Sequence, residues 1–143
     1  MKKLLFGAFA LALFAGVGCK KDKDEDVCAL SSASFAGSYK ITGATTQMGS
    51  GTETDIYTSL YEPCERDDVY TFNTNGTYTL TDAGVVCDPP NTDAGTWAIS
   101  GNTVTIDGDN ANISNFTCSG FTVVASYTDA GITVTNRIKF SRQ

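Results

Sequence analysis

The sequence contains no histidine among its 143 residues. Histidine is the commonest general base and a frequent metal ligand, and Ser-His and Cys-His nucleophile pairs depend on it, so most hydrolase chemistry is excluded. Positive charge is also scarce, because ten Lys and Arg face 16 Asp and Glu and leave a net charge of −6. Since no basic surface is available to attract phosphate groups, we expect no binding to nucleic acid.

Sequence motifs of enzymes and metal sites are also missing. There is no C-x-x-C pair, no phosphate-cradling glycine loop and no nucleophile elbow. Asp67 and Asp68 are adjacent, and neighbours on a strand point to opposite faces, so they do not predict a glycosidase pair. Residues 107–109 begin like a calcium loop, but Ala111 and Asn112 stand where that loop needs a ligand and a glycine. We therefore expect no enzyme, no metal site and no cofactor.

The longest apolar run, residues 4–17, is shorter than the roughly 20 apolar residues of a membrane-spanning helix. It follows Lys2 and Lys3, a layout typical of a secretory signal. Residues 16–19, Gly-Val-Gly-Cys, resemble a bacterial lipobox. The resemblance implies that residues 1–18 are a signal peptide and that Cys19 is lipidated and becomes the mature N-terminus. The alternative is an ordinary secretory signal with an incidental cysteine.

Every residue from 20 to 26 is charged. Such a run stays solvated and extended, so we interpret residues 19–34 as a lipidated N-terminus and a charged linker that tethers a folded domain to a membrane. Acidic residues after Lys20 and Lys21 resemble the export signal of Bacteroidota outer-membrane lipoproteins. This implies a cell-envelope protein, lipid-anchored to the outer membrane on its periplasmic or surface-exposed face. A linker without any address is the alternative.

Four cysteines remain once Cys19 is assigned to lipid: Cys28, Cys64, Cys87 and Cys118. In an oxidising compartment an even number of cysteines predicts two disulfides, with three possible connectivities. We favour Cys64 with Cys87, because they flank a predicted hairpin whose closure brings its ends together. Cys28 would then pair with Cys118.

Residues 35–143 form the predicted folded domain, and their short apolar-polar alternations between turn signals are typical of an all-β protein. Tight-turn residues separate most neighbouring segments, so successive strands should pair. We predict an eight-stranded antiparallel up-and-down barrel, with two facing sheets as the alternative. The strands are expected near residues 38–44, 68–73, 77–82, 94–100, 102–107, 112–117, 121–128 and 131–140.

The alternation also predicts which side chains face the barrel interior. In the last strand the inward set includes Asn136, which would either contact a ligand or lie at a hydrated barrel end or bulge. The candidate lining residues are Tyr39, Tyr70, Phe72, Tyr78, Trp97, Phe121, Val134 and Asn136.

The connection from residue 44 to residue 67 is too long for a simple hairpin loop. Ile56 with Leu60, and Tyr57 with Tyr61, have helical i,i+4 spacing, and Thr54 is a possible N-cap. We predict a short helix that caps one end of the barrel, and a lid over a ligand cavity is the alternative.

Three sequence blocks carry a family resemblance: Gly37-Ser38-Tyr39, the hairpin from Tyr70 to Tyr78 between Cys64 and Cys87, and Gly95-Thr96-Trp97. Together they resemble the small lipocalin-like lipoproteins of Bacteroidota over roughly the whole mature domain. The resemblance implies an eight-stranded barrel with no known catalytic residues. Lipocalins place an arginine of the last strand against the aromatic residue of the opening motif, whereas Arg137 falls on the outward face here.

Two functions of different class follow from these observations. The first is a binding barrel for a small apolar molecule, held inside by the aromatic lining. The second is a protein-binding or structural envelope module that acts through its loops on a filled barrel. Its contact would be the loop at residues 83–93, where Val85 and Val86 form an apolar tip. The acidic domain would favour a basic partner, which the sequence does not identify.

Overall fold

The computed structural model describes residues 28–143 and shows a closed antiparallel β-barrel of eight strands. This confirms the fold class predicted from the sequence. The signal peptide, Cys19 and the charged run lie outside the described residues. Within residues 28–143 neither helix has the length and apolarity needed to cross a membrane. The elements are α1 (Ser32–Phe35), β1 (Gly37–Met48), β2 (Thr54–Asp55), α2 (Tyr57–Leu60), β3 (Val69–Phe72), β4 (Thr77–Thr81), β5 (Asp93–Ser100), β6 (Thr103–Ile106), β7 (Asp109–Thr117), β8 (Gly120–Asp129) and β9 (Ile132–Arg142).

Strand β1 closes the barrel by pairing with both β3 and β9. Its pairing with β3 covers only Gly37–Tyr39, while its pairing with β9 continues to Met48 through a bulge between Ile41 and Gly43. Beyond Tyr39, β2 and α2 cover the edge of β1 that β3 leaves free. A closed barrel has no exposed sheet edges, so this covering segment completes the wall.

Helix α2 lies against the side of the barrel, and not across its end as the sequence predicted. The Ile56 amide donates to the Ala44 carbonyl at 2.9 Å, and the Tyr57 hydroxyl donates to the Ile41 carbonyl at 2.9 Å. Thr54 is not the N-cap, because it belongs to β2 and pairs with Thr46. The Asp55 carboxylate instead accepts from the Tyr57 amide at 2.8 Å. The helix therefore patches the seam between β1 and β3.

Helix α1 closes the end of the barrel. Ser31 and Ser34 form a capping box that starts this single turn, inside the segment that the sequence assigns to the linker. The helix ends in Phe35, which is completely buried. Its ring centroid lies 4.9 Å from Phe72, 5.1 Å from Trp97 and 4.6 Å from Phe121. Phe35 therefore plugs the barrel at the end where β1 begins, which we call the closed end.

The wall at the opposite, open end is uneven. Strands β3, β4 and β6 have four or five residues, whereas β1, β8 and β9 have 10 to 12. Pairing between β7 and β8 stops at Asn112 and Val124, but β8 and β9 stay paired up to their tight turn at Ala130 and Gly131. Both turn residues have positive φ, at 47° and 81°, which a primed two-residue hairpin turn requires. Strands β1, β8 and β9 therefore project past the rest of the barrel.

Candidate functional site

Most of the predicted lining residues pack against one another at the closed end. Phe72 and Trp97 lie 5.7 Å apart, and Tyr39 and Phe121 lie 5.0 Å apart, with Phe35 between them. The predicted lining residues that are buried in this core are Tyr39, Phe72, Tyr78, Trp97 and Phe121. Because Phe35 occupies the space that they enclose, these aromatics form a filled core and do not line a ligand cavity.

An arginine does lie against the opening aromatic, but it is Arg142 and not Arg137. The Arg142 guanidinium carbon lies 5.1 Å from the centre of the Tyr39 ring, and its Nη2 donates to the Tyr39 hydroxyl at 2.6 Å. Burial raises the pKa of Tyr39, and the nearby Arg142 charge partly offsets that rise. Arg137 faces outward and pairs with Glu53 at 3.5 Å. Arg142 lies in β9 beyond residue 140, where the apolar-polar alternation predicted the last strand to end, so the sequence pattern did not indicate it.

The Tyr78 hydroxyl links β4 to the first residue of β5 and to Asp107, which directly follows β6. It lies 2.7 Å from an Asp93 carboxylate oxygen and 2.9 Å from one of Asp107, and these hydrogen bonds together with burial raise the pKa of Tyr78. Asp107 also accepts from the Thr96 amide at 2.7 Å. Hydrogen bonds from Thr96 and Tyr78 lower the pKa of Asp107. A Cβ at Gly95 would collide with the Asp107 carboxylate, which explains the glycine of the Gly-Thr-Trp block.

The inner face of the barrel carries smaller side chains toward the open end. Ala44, Ile138 and Val123 align across β1, β9 and β8, and the next inward row is Thr46, Asn136 and Ala125. Asn136 is half-buried in this row, and within residues 28–143 its amide makes no side-chain hydrogen bond. We call the region the barrel mouth, and it consists of Ala44, Thr46, Ala111, Val123, Ala125, Asn136 and Ile138. Of the predicted lining, Asn136 faces this mouth, while Tyr70 is half-buried and packs on Phe140 at 5.6 Å.

The projecting wall continues this surface with apolar side chains. Met48, Val134 and Tyr127 pair across β1, β9 and β8. Val134 is only 5% exposed, whereas Met48 is 64% and Tyr127 54% exposed. Ile132, on the same inward side of β9, is also exposed. On one side of the mouth, the projecting ends of β1, β8 and β9 therefore form an apolar surface that a small nonpolar molecule could contact.

Asp67 and Asp68 both face the loop at residues 82–92, contrary to the prediction that they point to opposite faces. They precede β3, so the strand alternation does not apply to them. The Val85 amide donates to Asp67 at 2.9 Å, and the Asn91 side chain donates to Asp68 at 2.7 Å. Burial raises the pKa of Asp68. The two carboxylates act as hydrogen-bond acceptors that shape the loop.

The same loop presents the apolar tip that the sequence predicted. Val85 and Val86 are 64% and 61% exposed. The Asp82 carboxylate accepts from the backbone amides of Cys87 and Asn91, which fixes the base of the loop. Two valines are therefore held in solvent on a constrained loop.

Two disulfides are present, with the pairing that the sequence favoured. Cys64 joins Cys87 and ties the loop at 82–92 to the segment before β3, while Cys28 joins Cys118 and ties the segment before α1 to the β7–β8 turn. In the part of the chain from residue 28 onward, no cluster of three or more carboxylate or cysteine side chains is arranged to hold a metal ion.

Comparison with known proteins agrees with the architecture. The family model described as a lipocalin-like domain matches residues 35–124. Neither a curated protein nor a solved structure is significantly similar to the chain. The matched segment begins at the plug residue Phe35, includes the opening block at residues 37–39 and the Gly-Thr-Trp block, and extends into β8. The chain therefore belongs to the lipocalin-like domain family.

Proposed function

We propose that the protein is a lipid-anchored cell-envelope barrel that binds a small apolar molecule at the barrel mouth. Membership of the lipocalin-like family supports a binding barrel in general. Because Phe35 fills the aromatic end, we place the ligand in the open half of the barrel and not among the predicted aromatic lining residues. In the open half the ligand would contact small or half-buried apolar side chains and the amide of Asn136.

The observation that carries this proposal is the change in side-chain size along the inner face. At the closed end the interior is packed with aromatic rings, whereas the inner face toward the open end carries the small side chains of Ala44, Ala111 and Ala125. The exposed side chains of Met48 and Tyr127 extend the apolar contact upward. Ligand sites typically combine a mainly apolar lining with few polar groups. A molecule with an apolar body and one polar end, hydrogen-bonded to Asn136, fits this arrangement.

Titration with a fluorescent fatty acid tests the mouth. In the Ala125→Trp variant an indole fills the mouth, so we expect binding to weaken by about tenfold or more. Ser126→Trp is the matched control, because Ser126 is the next residue of β8 and bonds Thr135 at 2.9 Å on the outer face. It should bind the probe like the unchanged protein. Equal weakening in both variants, or in neither, would contradict a ligand site in the mouth.

A second function rests on the exposed valine tip. A filled barrel with Val85 and Val86 on a constrained loop suits a module that binds another protein through this loop. Under this alternative the fluorescent fatty acid does not bind the unchanged barrel. The same titration therefore separates the two functions.

The membrane anchor is supported by the lipobox resemblance at residues 16–19 and by the charged run that follows it. Placement at the outer membrane is part of the same proposal. In the native host, Cys19→Ala should abolish labelling by an alkyne fatty acid and release the protein from the membrane fraction. Cys28→Ala is the control, because its thiol is in a disulfide and not in the lipobox. Unchanged labelling of Cys19→Ala would refute the anchor.

A further inference from the structure

The outer face of the barrel carries a continuous groove across β7, β8 and β9. Two clefts of about 690 and 430 Å³ share Asn115, Thr122 and Lys139 and therefore join. Lys139, Thr122 and Ser114 pair across the three strands and alternate with the buried residues Phe140, Phe121 and Ile113. The larger cleft, which we call the outer groove, is lined by polar residues and two cations, together with Gly120, Phe121 and Phe140. Its polar and charged residues are Asn115, Thr117, Ser119, Thr122, Lys139, Ser141 and Arg142.

Local backbone geometry builds this groove. Strand β7 has a bulge between Ser114 and Thr117, and Asn115 within it has a φ of 51°. A bulge bends its strand and redirects a side chain, here the amide of Asn115 that lines both clefts. Gly120 at the start of β8 admits no side chain, because a Cβ there would collide with the Phe140 carbonyl. The groove is thus a structural consequence of the fold, on the face opposite to the barrel mouth.

The charge of the outer groove is opposite to that of the chain. Apart from Arg66, every Lys and Arg of residues 28–143 lies on β1 or β9. No carboxylate lines the outer groove itself, whereas Glu53 and Asp55 line the smaller cleft that joins it. Within the described residues Lys139 forms no ion pair, and the Arg142 guanidinium bonds neutral oxygens of Tyr39 and Ala36. Within residues 28–143 neither cation of the outer groove is ion-paired, so the groove is locally positive in a chain with a net charge of −6.

We propose that the outer groove binds an acidic saccharide, a sugar that carries a carboxylate or phosphate group. Lys139 and Arg142 would attract the anionic group, since hydrogen bonds between charged partners are the strong ones. The hydroxyl and amide side chains of Asn115, Thr117, Ser119 and Ser141 can both donate to and accept from sugar hydroxyls. A volume of about 690 Å³ is within the usual range for small-molecule sites. This site is independent of the barrel mouth.

Calorimetric titration of the full chain with four probes tests the assignment. Glucose 6-phosphate and glucuronic acid contain both the sugar and the anion, whereas glucose and inorganic phosphate each contain one of them. We expect the two acidic sugars to bind about tenfold more tightly than either single-feature probe. Equal binding of inorganic phosphate would overturn the saccharide assignment, and equal binding of glucose would overturn the role of the charges. Failure of both acidic sugars to bind at millimolar concentration would overturn the site.

Lys139→Gln locates the binding. Loss of one charge-assisted hydrogen bond should weaken binding of glucose 6-phosphate by about tenfold or more. Lys40→Gln is the matched control, because Lys40 is a cation of neighbouring β1 that does not line the groove. It should leave the affinity unchanged. If Lys139→Gln binds like the unchanged protein, the outer groove is not the site.

Discussion

Asp107, which directly follows β6, stabilises the fold by accepting hydrogen bonds from residues of β4 and β5. Its carboxylate accepts from the Thr96 amide and from the Tyr78 hydroxyl, and these contacts lower its pKa in the folded state. The folded protein therefore holds this proton less tightly than the unfolded chain does. The resulting stabilisation is present above the unfolded pKa of about 4 and is lost as the pH falls through the folded pKa.

We expect Asp107→Asn to flatten the acid side of the stability profile. Asparagine keeps an oxygen that can accept from Thr96 but has no charge to titrate. Between about pH 7 and pH 3 the urea midpoint of the variant should therefore fall less than that of the unchanged protein. Asp109→Asn is the control, because Asp109 is an exposed carboxylate on adjacent β7. Parallel profiles for Asp107→Asn and the unchanged protein would show that these hydrogen bonds do not govern acid stability.

Asp68 acts in the opposite direction. Burial raises the pKa of Asp68 in the folded state. Its contribution to the stability of the fold is therefore fully present below the unfolded pKa and is lost as the pH rises through the folded pKa. The sequence pattern alone could not separate these two aspartates. Their difference depends on the loop at 82–92 for Asp68 and on a cross-strand amide for Asp107, and both are long-range contacts.

Single elements divide into those that local sequence determines and those that it does not. All eight barrel strands were predicted near their observed positions, because alternation and turn residues are local signals. The tight turn at Ala130 and Gly131 is an example. Helix α1 was missed, because its capping box uses two serines in a polar segment that reads as linker. The helix is a single turn, and its plug residue gains its burial only from the assembled barrel.

The candidate site was predicted less well than the strands, and for a related reason. Inward parity correctly places Tyr39, Phe72 and Trp97 inside, but parity does not tell whether an interior is filled. The interior is filled by Phe35, which belongs to α1 and therefore lies outside the strand pattern. The outer groove depends on a bulge at Asn115, which alternation cannot predict because a bulge inserts a residue out of phase. Arg142 was missed because β9 continues past the last apolar residue of its pattern.

At the scale of the whole molecule, the two disulfides close loops of very different length. Cys28 and Cys118 are 90 residues apart, whereas Cys64 and Cys87 are 23 apart. In the chain-entropy account, cross-links of these lengths stabilise the fold by about 4.6 and about 3.4 kcal/mol respectively. The longer link also holds the segment that leads into α1 against the β7–β8 turn. Both effects make it the more important of the two.

The double variant Cys28→Ala/Cys118→Ala should therefore lose about 1 kcal/mol more unfolding free energy than Cys64→Ala/Cys87→Ala. Urea unfolding followed by the fluorescence of Trp97, the single tryptophan, measures both under oxidising conditions. Trp97 is a suitable reporter because it packs against Phe35, which lies directly after the segment that Cys28 anchors. Under reducing conditions the unchanged protein should lose more stability than either double variant loses when oxidised. A larger loss from the Cys64 and Cys87 pair would mean that the loop at 82–92, and not closure of the N-terminal segment onto the barrel, limits stability.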